Sequence, residues 1–192
     1  MPEPLSITVL SVPGLSARML TEHDGVLPNL SKIARIHSAA TVVVVDGASA
    51  QQLEASLFTG MLPEFISGGR GQPFWLSADI PAQVEPAYAM RPEWRTFAKQ
   101  PRLVWRTLAL TEDIPAGLKA LDSEAARIDG PLVVLSVWAL ADGRAAPQNA
   151  HPMDRPVLLA RGFNLAKTCV GILEIAGILQ RVLTGEELTD AL

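Results

Sequence analysis

Thr41-Val42-Val43-Val44-Val45-Asp46-Gly47 decides the fold class of this chain. A run of β-branched residues without polar alternation is the pattern of a strand covered on both faces, which places this segment in the centre of a sheet. Asp46-Gly47 breaks the run. Ser49, followed at the third position by Gln52, then has the spacing of a capping box and opens a helix toward Phe58, closed by Gly60 and Pro63. Upstream, Ile7 to Leu10 is a shorter strand ended by Pro13-Gly14, after which Leu15 to Leu20 starts a helix and Pro28 begins another through Ile36. Downstream, Leu103 to Leu110 and Leu132 to Trp138 read as strands, with helical spacing between them at Leu118, Leu121, Ala125 and Ile128. Pro156 to Ala160 is a last short strand. Asn164 is expected to open a long amphipathic helix with Leu165, Cys169, Ile172, Ala176, Leu179 and Leu183 on one side. Strands alternating with helices predict a three-layer α/β/α domain with a mainly parallel central sheet. The stretch from Glu64 to Gln100 is rich in Gly, Pro and aromatic residues; it reads as loops with one short strand around Phe74 to Leu76.

The composition fits one domain spanning residues 1–192. The chain is 48% apolar and 19% charged, with 14 Gly and 15 Pro scattered without period, which excludes a disordered or collagenous chain. Sixteen basic residues against twenty acidic ones give a formal charge of -4, so nucleic acid is not an expected partner. No apolar run approaches the roughly 18 residues of a membrane span, and Met1-Pro2-Glu3-Pro4 has no cationic leader, so a cytoplasmic protein with no membrane partner is expected. Cys169 is the only cysteine; its apolar neighbours suggest a buried packing residue.

Parallel sheets bind ligands beyond the carboxyl ends of their strands. That rule directs attention to Ser11 to Ser16, Asp46 to Gln51, Ser136 to Asp142 and the loop holding His151. The helix start near Asp46, Ser49 and Ala50 offers backbone amides to an anion, whereas the plainer role for Ser49 is capping and for Asp46 supporting the turn. A lone His151 in a Pro-flanked loop is more often a hydrogen-bonding residue than a metal ligand, because metals need several converging donors. His23 and His37 lack zinc-motif spacing and read as surface. Gly68-Gly69-Arg70-Gly71 lacks the Lys-Ser/Thr ending of a phosphate loop. Tyr88, Arg91, Trp94, Arg95, Phe97, Arg102, Trp105 and Arg106 read as amphipathic packing with arginines at its rim; if exposed, they would suit a protein partner.

Several segments together resemble the alkaline phosphatase superfamily, most closely its type I phosphodiesterase and nucleotide pyrophosphatase branch. Leu10-Ser11-Val12-Pro13-Gly14-Leu15 is similar to that branch's first strand and Asp-Gly-Leu turn, and Leu27-Pro28-Asn29-Leu30 to its Thr-Pro-Asn-Leu segment. Ala55-Ser56-Leu57-Phe58-Thr59-Gly60, followed by Pro63-Glu64, resembles its Ala-Ser-Leu-Leu-Thr-Gly stretch and is the most specific match. Val133-Val134-Leu135-Ser136 resembles the strand leading to Ser-Asp-His-Gly. His151 with Arg155 to Gly162 resembles the closing His and its strand, and Ile172 through Leu183 the terminal helix. Residues 65–100 have no counterpart, and the chain is short enough to lack the family's large cap insertions.

The resemblance implies an alkaline phosphatase-like core and, in active members, two metal ions, commonly zinc, with a Thr or Ser nucleophile at a helix N-terminus. Here Pro13 stands in place of a metal-binding Asp, Ala50 at the nucleophile position, and Ser136-Val137-Trp138-Ala139 in place of Ser-Asp-His-Gly. The expectation is a catalytically inactive, metal-free domain that binds a small phosphate-containing ligand through Asp46, Ser49, Ala50 and His151, or binds a protein partner or a second copy of itself. The alternative is a diverged zinc- or manganese-dependent phosphoric or sulfuric ester hydrolase, with Ser49 as nucleophile and Asp46, His151, Asp142 and Asp154 as ligands. A structural subunit of a larger assembly is the third possibility.

Overall fold

A computed structural model describes residues 6–36, 38–44, 48, 52–53, 56–57, 82–84, 103–108, 110, 112–137, 140–141, 144–145 and 151–184. Within these, strands β1 (Ile7–Ser11), β2 (Ser38–Val43), β3 (Ala82–Val84), β4 (Leu103–Thr107), β5 (Leu132–Leu135), β8 (Val157–Arg161) and β9 (Cys169–Gly171) form one sheet. Its order is β3-β4-β1-β5-β8-β2-β9. Two further strands, β6 (Leu140–Ala141) and β7 (Arg144–Ala145), pair antiparallel as a separate ribbon. The helices are α1 (Ala17–Glu22), α2 (Pro28–Ile36), α3 (Ile114–Arg127) and α4 (Ile172–Thr184). Gln52, Leu53, Ser56 and Leu57 are also helical, within the helix expected after Ser49.

The sheet is mainly parallel. β1 pairs in parallel with β4 and β5, β3 with β4, and β2 with β9, while β8 runs antiparallel to both of its neighbours, β5 and β2. Consequently β8 starts at the rim where β1, β2 and β5 finish. Backbone hydrogen bonds hold that rim together: Ser136 N–H donates to Val157 O at 2.8 Å, Val42 N–H to Pro156 O at 2.8 Å and Val12 N–H to Leu135 O at 2.8 Å.

Alternation along the strands divides the core into two layers. On one face, Ile7 and Val9 of β1, Val133 and Leu135 of β5 and Leu158 of β8 pack with Leu53, Leu57 and the inner side of α4, including Ile175, Leu179 and Leu183. On the other, Leu10, Leu132, Val134, Val157 and Leu159 meet Leu27, Leu30 and Ile33 of the α2 region and Leu118, Leu121 and Ala125 of α3. All four β5 residues are buried, as a continuous apolar run with helices on both faces requires. The expected three-layer α/β/α architecture is therefore the observed one.

Three expectations need correction. The strand at Thr41 is not central: β2 lies next to edge strand β9, and Ala39 is exposed, so it alternates instead of being covered throughout. Branched side chains encode extended backbone, and strand order follows from pairing partners far away in the chain. The final helix starts at Ile172, eight residues after Asn164, because Cys169–Gly171 pairs with β2. The Glu174 carboxylate accepts the Gly171 N–H at 2.7 Å, reaching back from the third helical residue as in half of a capping box. Cys169, expected inside that helix and buried, is exposed on the edge strand.

Candidate functional site

The carboxyl rim is built first by a tight turn. Val12-Pro13-Gly14-Leu15 closes through Leu15 N–H donating to Val12 O at 3.2 Å, with Gly14 at φ 88°. Proline at the second position and glycine with positive φ at the third are the type II arrangement. Both residues are buried, so the position at which the family resemblance places a metal-binding Asp holds a ring with no donor atom. Ser16 then caps α1, its hydroxyl accepting the Met19 N–H at 3.3 Å.

The second part of the rim is the segment before β8. His151 precedes a 3-10 turn at Pro152–Asp154, and its Nδ1 accepts the Met153 N–H at 3.3 Å. His151 O accepts the Asp154 N–H at 2.8 Å. The imidazole is exposed, with Nδ1 occupied as a cap.

Asp154 is bound by Arg18 of α1. Arg18 Nε donates to Oδ1 at 2.6 Å and Nη2 to Oδ2 at 3.2 Å, a bidentate pair. The Arg18 hydrogen bond holds the Asp154 carboxyl below its usual range, with the Arg18 charge acting in the same direction. The same bond raises the Arg18 guanidinium. Two backbone contacts reinforce the junction: Ala17 N–H donates to Arg155 O at 3.2 Å, and Ser16 bridges to Pro156. Pro13, Ser16, Arg18, His151 and Asp154 thus belong to one end of the sheet, with α1 tied to the turn that follows His151.

Asp46, Ser49, Ala50, Asp142 and Trp138 lie outside the described residues, as do His37, Gly68 to Gly71, the strand expected around Phe74 to Leu76, and Tyr88 to Arg102. Of the aromatic and arginine stretch, Trp105 is buried in the core at 2% exposure, and Arg106 donates to Glu124 Oε1 at 2.8 Å. His23 ends α1, its N–H donating to Met19 O at 3.1 Å. Ser56, in the segment that resembles the family most specifically, is fully buried and its hydroxyl has no partner among the described residues.

Among the described residues this arrangement is a poor fit as a metal shell. Both oxygens of Asp154 face a guanidinium, Pro13 contributes nothing, and among the described residues no three His, Cys, Asp or Glu side chains converge. A binuclear hydrolytic centre needs a dense set of oxygen and nitrogen donors on both ions.

Sequence reasoning missed Arg18 because its partner is 136 residues away and neither residue belongs to a motif. It also missed Asp122, a buried carboxylate on α3 that caps α2: Oδ1 accepts Asn29 N–H at 3.0 Å and Leu30 N–H at 2.8 Å, and Oδ2 accepts Asn29 Nδ2 at 2.8 Å. The only local signal was a carboxylate at a helix position whose neighbours Leu118, Leu121 and Ala125 mark the buried face.

No protein-family model matches the sequence, and no curated protein is significantly similar to it. The structure is similar to that of human ectonucleotide pyrophosphatase/phosphodiesterase 5, with a TM-score of 0.64 at 10% sequence identity over 97% of this chain and 96% of that chain. The likeness establishes the fold: a mixed α/β domain of the alkaline phosphatase-like type.

Proposed function

We propose that this chain is a phosphodiesterase-like domain of the alkaline phosphatase superfamily that works by binding and carries out no hydrolysis. The observation that carries the proposal is the state of Asp154. Asp154, which the hydrolase alternative would recruit as a metal ligand beside His151, is engaged on both oxygens by Arg18. Releasing it for a cation would leave Arg18 with only the longer ion pair to Glu22 of its own helix, at 3.9 Å. Pro13, buried in its type II turn, adds no replacement donor. Within this proposal the whole chain is one domain, and its partner is a small phosphate-containing ligand or another protein surface.

Elemental analysis of the protein purified without chelator, with zinc and manganese added to a parallel sample, tests the metal. Nitrophenol release from aryl phosphate mono- and diesters tests the chemistry. Sub-stoichiometric metal and no turnover above the buffer rate are expected. Near-stoichiometric metal that a chelator removes together with activity would overturn the proposal. Thermal melts with millimolar phosphate or nucleotide test the binding role, because a ligand specific for the folded state raises its apparent stability.

A further inference from the structure

We draw no further inference here: the strongest candidate, an open cavity of about 490 Å³ at the opposite end of the sheet lined by Gly130, Pro131, Arg161, Gly162, Phe163 and Asn164, carries nothing because Arg161, its only charged wall, is spent on the Ala125, Ile128 and Gly130 carbonyls at the end of α3 and nothing in the structure shows what covers it.

Discussion

Replacing Asp122 with alanine should cost more stability than removal of any exposed charge in this protein, and the reason lies in the start of α2. A helix leaves its first amides without intrahelical partners. Here Pro28 has no N–H to satisfy, Ser31 N–H already donates to Leu27 O at 2.9 Å, and the two amides between them, Asn29 and Leu30, both donate to Asp122 Oδ1. The carboxylate also sits at the positive end of the helix dipole, where an anion contributes up to about 2 kcal/mol when partly buried. Asp122 is 4% exposed, so water cannot simply take its place. Hydrogen bonds to charged groups contribute about 1.5–3 kcal/mol each, and an abandoned buried donor costs about 1–3 kcal/mol. These terms overlap and the Asn29 end is only partly buried, so the expected loss for Asp122→Ala is about 3–4 kcal/mol. For a chain of this size that corresponds to a fall in Tm of roughly 6–16 °C. Asp122→Asn keeps an acceptor for the two backbone amides, and the Asn29 side chain can turn to present its oxygen. Its expected loss is smaller, about 1–2 kcal/mol. Urea unfolding of the two variants and the parent, fitted with a common slope, measures both numbers. Amide exchange at Asn29 and Leu30 should accelerate in the alanine variant first. A loss below 1 kcal/mol for Asp122→Ala, with the Leu30 amide still protected, would refute the capping argument.

Three other outcomes are expected. Gly14→Ala should destabilise by about 1 kcal/mol or more, because φ 88° is a conformation in which a Cβ is strained; unchanged urea midpoints would remove the type II turn from the account. Acid should weaken the fold as pH falls below about 4: Glu174 is held low by its Lys167 and Gly171 hydrogen bonds, Asp154 by Arg18, and Asp24 by Ser31 ahead of Arg35. Depressed folded-state values mean that the stabilisation is present above the unfolded-state values and is lost as each group protonates. Glu174→Gln should flatten part of this acid limb; an unchanged limb would show that the Lys167–Glu174–Gly171 contact contributes nothing. Cys169 should react with a soluble disulfide reagent in the folded protein without denaturant, at close to one equivalent per chain, whereas a buried thiol would react only on unfolding.

Much of the architecture was legible because hydrophobic periodicity is a local property. The Pro28–Ile36 helix has its observed bounds in the sequence, since proline at the first helical position and apolar residues at Leu30 and Ile33 mark both its start and its inner face. The strand expected over Leu132 to Trp138 is observed at Leu132–Leu135. Its existence was legible because a short apolar run has few alternatives once it is too short for a buried helix, whereas its end was not. The failures share a cause as well. Residues 164 to 171 carry apolar side chains at positions that suit a helix, yet β9 forms there because β2 offers a ladder: Thr41 N–H donates to Thr168 O at 3.0 Å. Pairing with a strand more than a hundred residues earlier overrides local spacing, and Glu174 then fixes the helix start one residue after the strand ends.

The site divides along the same line. Turn chemistry at Pro13-Gly14 is written in adjacent residues, so the absence of a donor side chain at that point is legible in the sequence. What Asp154 does could not be read, because a carboxylate near a histidine carries the same sequence signal whether it faces a metal or an arginine. The strand reversal at β8 makes the difference: by running antiparallel, β8 starts at the carboxyl rim and delivers Pro152–Asp154 against α1, within reach of Arg18. There the guanidinium pairs with both Asp154 oxygens, so the role of this carboxylate is set by which strand end delivers it to α1 and not by its histidine neighbour in sequence.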